Sequence, residues 1–411
     1  MKKLLSFLSC VLVLMLAGCT SEEVRVENPE QGLSSHLRTA DEAVAIAQNL
    51  YQARHNSRAN VAVANVAVIG SSASRASADT LIYAVNFADN QGFTLVSAAK
   101  SGIDIIGYTD NGNFDLDQVA SNECFSFYLD AATDYVNSEI RIPGGAIGGP
   151  IGGDLIKFPT RPDTFLVLAA PRIPVDYGQT FPEGNLYSNR MAGCVQTACA
   201  MVLAYLEQPA KMTYTDPSIT LTSETLNWAS IKKHVKSLNS IVFSDIYDHY
   251  NECSATSAEH EVLSRICKEL GHRNNADPQF GGTGATLSAA RTTMKNLVSG
   301  YVSDIKNLEA PYTDLLDQLK GSKSVGIIGG TSDDGISHAW ICDGGDGRLV
   351  RSKVMLATGE EEIIEEKTYY YYYKWGNCGQ DDGYFYAGVF DPKKPSRADY
   401  RNDIIYFTIG K

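Results

Sequence analysis

Apolar residues recur at helical spacing over positions 40–51, directly after Thr39, whose hydroxyl suits a helix N-cap. The pattern then tightens. Residues 81–87 and 92–98 read as two strands around Asp89-Asn90-Gln91, and 105–109 with a turn at Asn111-Gly112 adds to them. These elements outline a small α+β unit with no catalytic cluster of its own. From Ile142 to Pro162 the pattern stops in a Gly/Pro-rich stretch centred on residues 143–153. Such composition holds neither helix nor strand and predicts a linker open to proteolysis. Beyond it the chain is first helical, over 194–206, 226–238, 245–250 and 257–270. It is then strand-rich, over 324–328, 338–343, 349–356, 368–374, 383–390 and 404–409. A helical half joined to an antiparallel sheet half predicts an α+β domain with its cleft at the junction.

The N-terminus has a different pattern. Lys2 and Lys3 precede an apolar run over residues 4–17, too short to cross a bilayer comfortably and suited to the h-region of a signal peptide. The run ends in Leu16-Ala17-Gly18-Cys19, which resembles the bacterial lipobox, with Cys19 as the lipid-bearing first residue of the mature chain. An ordinary signal peptide with an incidental Cys is the alternative. Thr20-Ser21-Glu22-Glu23 is similar to the surface-export signal of some Gram-negative lipoproteins. The expected organisation is a leader over 1–18, a tether over 19–34, a small unit over 35–141, a linker over 142–166 and a large domain over 167–411. Such a protein is exported and tethered to the bacterial outer membrane or cell surface, with its large domain open to later release.

At 411 residues, with 44% hydrophobic and 20% charged positions, the body is globular and long enough for more than one core. Acidic residues outnumber basic ones 48 to 35, a net charge of −13 that argues against nucleic acid as a partner. Of nine cysteines, Cys10 leaves with the leader and Cys19 takes the lipid. The remaining seven show no CxxC pair and no regular spacing, so neither a zinc site nor a disulfide framework is visible. An odd number leaves at least one free thiol.

Gly193-Cys194 opens the helical run 194–206. A thiol at a helix N-terminus faces unpaired N–H groups and the positive end of the dipole, and both stabilise thiolate. The segment alone fits a buried structural cysteine equally well, and Cys199, further along, reads as core. A thiolate nucleophile needs an acid to protonate its leaving group, usually His. Of seven histidines, His338 stands apart: it starts an apolar strand after a Gly/Asp-rich loop, a position suited to a cleft wall. Gln179, upstream of the Cys, supplies an amide able to hold an oxyanion. Trp375, at a strand end, is placed to pack on the His and shield it.

The order Gln179, Gly193-Cys194-Val195, Ser337-His338-Ala339, Trp375-Gly376 and Gly383-Tyr384-Phe385 resembles the streptopain family of papain-like cysteine peptidases. The resemblance implies a papain-like two-part catalytic domain with Cys194 as nucleophile, His338 as general base and acid, Gln179 in the oxyanion hole and Trp375 in place of the His-orienting Asn of papain. It implies that the small unit, with Ile106-Gly107-Tyr108-Thr109, is an inhibitory prodomain whose removal at the linker activates the enzyme. Gly282, Gly284 and Ala285 resemble the family's Gly-rich loop beside the nonprimed subsites. No metal or cofactor is implied, and the implied partners are protein or peptide substrates, the prodomain itself, and a membrane reached through Cys19. The tail departs from the family's Trp-Gly-Trp-Gly-Gly at Asn377 and Cys378, and Ser337 stands where Gly is commoner; these put primed-side contacts in doubt. Two other readings remain: acyl transfer to an amine, as in transglutaminases, and a silent adhesin or inhibitor on a peptidase fold.

Overall fold

The computed structural model describes residues 37–55, 61–70, 80–141, 157–159, 164–180, 182–233, 257–279, 282–321, 323–331, 337–355, 361–390 and 404–411. The leader, the tether with Cys19, the Gly/Pro run 143–153 and the helix expected at 245–250 lie outside these residues.

Helix α1 (Ala40–His55) begins with a capping box: the Thr39 hydroxyl accepts from the Glu42 N–H at 3.2 Å, and the Glu42 carboxylate accepts from the Thr39 N–H at 2.8 Å. Four antiparallel strands follow in space, β1 (Val63–Gly70), β2 (Thr80–Phe87), β3 (Phe93–Ser97) and β4 (Ile105–Tyr108). Alternation on β2 divides the core. Tyr83, Val85 and Phe87 face α1, whereas Ile82 and Ala84 join the cluster around helix α2 (Glu123–Arg141). Because both faces are covered, β2 reads as a continuous apolar run. Helix α2 is an element that the sequence reading above does not include.

In the second part of the chain, β5 (Lys157–Pro159) and β6 (Thr164–Ala169) precede helices α3 (Cys194–Leu206), α4 (Ser257–Arg273), α5 (Leu287–Leu297) and α6 (Thr313–Gly321). Strands β7 (Val325–Thr331), β8 (Ser337–Met355), β9 (Glu361–Lys374), β10 (Gly383–Tyr386) and β11 (Ile405–Ile409) complete it. Helix α3 is apolar on all sides and packs on α4, α5 and β8, which makes it the spine of the helical half. The α+β class and its two halves match the expectation.

The sheets of the two parts are continuous. Among the described residues the order runs β1-β2-β3-β4-β10-β9-β8-β7-β11, with the two-residue strand Lys306–Asn307 beyond β11. The join is antiparallel, with Tyr384 opposite Tyr108 and Phe385 opposite Gly107. A Cβ at residue 107 would stand 2.4 Å from the Phe385 ring, so the join needs glycine there. Two opposed ion pairs brace it: Arg54 of α1 with Asp346 of β8, and Asp104 with Arg348 of β8. Residues Arg38–Lys411 thus form one compact unit.

Two local expectations change. Strands expected separately over 338–343 and 349–356 are one strand, β8, paired with β9 along its length. Gly344 and Gly345 do not mark a turn. A Cβ on Gly344 would meet the Ala169 carbonyl at 2.8 Å, and one on Gly345 would meet Leu316 at 2.9 Å, so these glycines make room for crossing elements. The crossing element is β6, which pairs with residues 345–349, while β5 pairs with 352–354. The last part of the expected linker is therefore strand, because the free edge of β8 offers its backbone groups a partner. Among the described residues no helix is long and apolar enough to cross a membrane.

Candidate active site

Cys194 is the first residue of α3, and its position depends on Gly193. That glycine is the N-cap at φ +88°, and a Cβ on it would lie 2.1 Å from the Thr283 carbonyl. Glycine is needed both for the backbone conformation and for the close approach. The approach seats the short strand Gly282–Gly284 against the start of α3, where the Thr283 hydroxyl donates to the Met191 carbonyl at 2.6 Å. Asn189 adds amide hydrogen bonds to the carbonyls of Gln279 and Gly282, both at 2.8 Å. Added side chains at Gly282 and Gly284 would meet nothing within 4 Å, so both border open space, and Ala285 is half-buried beside them.

His338 is the second residue of β8, opposite Gly330 of β7. Its ring and the Cys194 sulfur approach at the helix–sheet junction, and a third group joins them. Donor atoms of Cys194, His338 and Cys124 all lie within 4.8 Å of one another. Cys124 is the second residue of α2, so the N-termini of α2 and α3 converge on one point. The Asn122 side chain caps α2 by accepting from the Phe125 N–H at 3.3 Å.

The electrostatics follow from this convergence. Cys194 is held well below the ordinary thiol range, first by a hydrogen bond from the Cys124 thiol and then by His338, against the opposing effect of burial. Cys124 moves the opposite way, well above the ordinary range, because it is the donor in that bond and is buried beside the Cys194 charge. The Cys124 sulfur also lies 3.4 Å from the Ala339 carbonyl, so its single proton faces two acceptors. Glu123 is half-buried and pushed upward by burial and by Cys194, with His338 pulling in the opposite direction.

Gln179 is half-buried, and its carbonyl accepts from the Ala192 N–H at 2.7 Å, tying its loop to the segment entering α3. The Thr197 hydroxyl of α3 lies 3.1 Å from the Gly178 carbonyl in the same loop. Beneath it lies Glu183, fully buried, whose carboxylate accepts from the Gly178 N–H at 3.3 Å and is raised to about 7 by burial. Trp375 is fully buried; its indole N–H donates to the Asp381 carbonyl at 2.9 Å. Its ring packs among Phe125, Tyr128, Trp340, Tyr373 and Phe385. The ring seated on His338 is therefore not Trp375, as expected from the sequence, but Phe127 of α2, at 5.5 Å between centroids, because the Trp375 indole is drawn into the buried aromatic cluster. Cys378, one of the tail departures, lies where a Cβ on Gly178 would meet its sulfur at 2.7 Å, and its N–H donates to the Tyr177 carbonyl at 3.2 Å. That departure braces the Gln179 loop.

The structure therefore brings Cys194, His338 and the 282–285 loop together, with the Gln179 loop and the Trp375 cluster beside α3. The sequence reading missed Cys124, Glu123 and Phe127. The available signal was Asn122, a capping residue just before Cys124, at the start of a run with Phe125, Tyr128, Ala132 and Tyr135 at helical spacing.

A cysteine and a histidine meeting between a helix N-terminus and an antiparallel sheet is the arrangement of papain-like cysteine peptidases, the class to which the family match assigns the chain. The model of the Peptidase C10 family matches residues 175–385, and that of the Spi protease inhibitor matches residues 35–136. The chain belongs to the Peptidase C10 family, the streptopain family, and is a cysteine peptidase carrying an inhibitor prodomain. Among solved structures, a fragment of prointerpain A from Prevotella intermedia has the same fold. It is 17% identical at a TM-score of 0.52, with 84% of this chain and 97% of that one covered. No curated protein matches the chain.

Proposed function

We propose that the protein is the exported, lipid-anchored zymogen of a cysteine endopeptidase whose reaction runs through a Cys194–His338 thiolate–imidazolium pair. The observation that carries this reading is the approach of Cys194 and His338 at the N-terminus of α3, with the Cys194 thiol pulled well below its ordinary range. The sulfur attacks a peptide carbonyl, and the Gln179 amide with the Cys194 N–H holds the oxyanion. His338 delivers its proton to the departing amine, leaving a thioester on Cys194. His338 then takes a proton from water, the hydroxide cleaves the thioester, and the carboxylic acid leaves. Gly282, Gly284 and Ala285 receive the substrate backbone ahead of the scissile bond.

In the uncut chain this chemistry is blocked by α2. Cys124 lies at the Cys194 sulfur and Phe127 covers the His338 ring, so no substrate carbonyl reaches the dyad. Cleavage between Arg141 and Lys157 followed by departure of the prodomain opens the cleft. Since Cys19 lies on the prodomain side, the same cleavage frees the peptidase from its lipid. The test is metabolic labelling with a lipid precursor and mapping of the fragments. Lipid on the N-terminal fragment alone agrees with the reading; lipid retained by the fragment containing Cys194 overturns its release step.

A further inference from the structure

Three donors from two parts of the chain meet at the blocked site: the Cys124 sulfur from the prodomain, and the Cys194 sulfur and a His338 ring nitrogen from the peptidase. We propose that this trio is an inhibitory binding site for a thiophilic divalent cation, of which Zn²⁺ is the type, and that the ion locks the prodomain onto the dyad. The proposal rests on the reading of Cys194 and His338 as the dyad and adds an ion that acts in latency, not in catalysis.

The chemistry of the donor set supports it. Two thiolates and an imidazole are a preferred zinc set, with Zn–S near 2.3 Å and Zn–N near 2.0–2.1 Å, which places donors about 3.5–3.8 Å apart across tetrahedral angles. All three donors already lie within 4.8 Å of one another, so side-chain adjustments of about 1 Å suffice. The two cysteines sit on the first turns of two long helices and His338 on a central strand, so rigid elements hold the ligands. The charge also balances. Two thiolates, a neutral imidazole and a divalent cation sum to zero. Binding requires both cysteines as thiolates and the His338 ring neutral, so affinity falls as pH is lowered. Since Cys124 belongs to the prodomain, the complete site exists only before activation.

The test uses the uncut chain from Thr20, reduced and freed of metal, titrated with Co²⁺ and then displaced with Zn²⁺. The expected result is one Co²⁺ bound with the thiolate-to-cobalt absorption of two sulfurs. Cys124→Ser should halve that absorption and weaken affinity at least about tenfold, since even supporting groups around a metal contribute 10–100-fold. Cys342→Ser should change neither quantity, since that buried thiol donates to the Gly344 carbonyl and lies outside the trio. Uptake of no metal by the reduced chain overturns the proposal, as does uptake unaltered in Cys124→Ser. So does a chain that loses two hydrogens to an added disulfide oxidant, joins Cys124 to Cys194, and takes no metal when reduced. A separate arm cuts the chain at the linker in the presence of a chelator and probes Cys194 with a peptidyl thiol reagent. Labelling there without metal uptake in the uncut chain removes the lock and keeps the peptidase; two-sulfur metal uptake without labelling does the reverse.

Discussion

Replacing Phe125 with Ala tests how latency is held. The Phe125 ring is fully buried and touches four other rings: Trp375 at 5.6 Å and Phe385 at 5.5 Å in the peptidase, Phe93 at 6.4 Å and Phe114 at 6.3 Å in the prodomain. Truncating a buried Phe to Ala costs about 3–5 kcal/mol. With its ring partners divided equally, about half of that, ~1.5–2.5 kcal/mol, falls on the contact between the two parts. At about 1.4 kcal/mol per factor of ten, the open population rises roughly 10–70-fold. The assay is the rate at which a peptidyl thiol reagent labels Cys194 in the uncut chain, followed by peptide mapping. Phe114→Ala is the control, because its ring partners, Phe93 and Phe125, both lie in the prodomain. Phe125→Ala should accelerate labelling 10–70-fold, and Phe114→Ala should lower Tm with a smaller acceleration. A Phe125→Ala chain with lowered Tm but wild-type labelling would refute the idea that this shared aromatic core holds α2 over the dyad.

Other outcomes follow from the same geometry. Gly193→Ala should reduce kcat/KM of the activated enzyme at least about tenfold and lower Tm, since the strained backbone alone costs about 1–3 kcal/mol and the Cβ strikes the Thr283 carbonyl. Gln179→Ala should lower kcat about 10²–10³-fold with little change in KM, measured on a fluorogenic peptide, because an oxyanion donor acts on the transition state alone. Cys124→Ala in the uncut chain should move the pH profile of Cys194 alkylation by a small reagent upward, since the Cys124 thiol is the largest influence lowering the Cys194 pKa. Asp381 is raised to about 7 by burial, so its charged form opposes folding. The sign is that stability is present below its unfolded value of about 3.9 and is lost as pH rises through about 7. Asp381→Asn should therefore raise Tm at pH near 8 and leave it nearly unchanged near pH 4, with the Asn122 contact at 3.1 Å retained.

The parts that were legible in the sequence are those where local chemistry and tertiary need agree. Helix α3 runs over Cys194–Leu206, as its apolar run predicts, because Gly193 supplies the N-cap conformation and Pro209 follows its end. Thr39 caps α1 for the same local reason. Helix α2 was legible only in its spacing of Phe125, Tyr128, Ala132 and Tyr135 and not in its propensity, since Phe, Tyr, Asn, Ser and Thr are weak helix formers and its stability comes from burying Phe125, Tyr128 and Val136. Missing α2 meant missing Cys124, whose meaning depends on a fold that brings residues 124, 194 and 338 together. The glycines at 344–347 suggested a break for a comparable reason: glycine in a sequence does not distinguish a turn from room made for a neighbouring strand.

The most direct test of the account is Cys194 labelling by a peptidyl thiol reagent, measured on one preparation before and after cleavage between Arg141 and Lys157. The account predicts only slow labelling of the uncut chain, at the rate set by its small open population, fast stoichiometric labelling of Cys194 once the prodomain has left, and none in His338→Ala or Cys194→Ala at either stage. A cut, folded peptidase that leaves Cys194 unlabelled, or an uncut chain labelled equally fast, contradicts it.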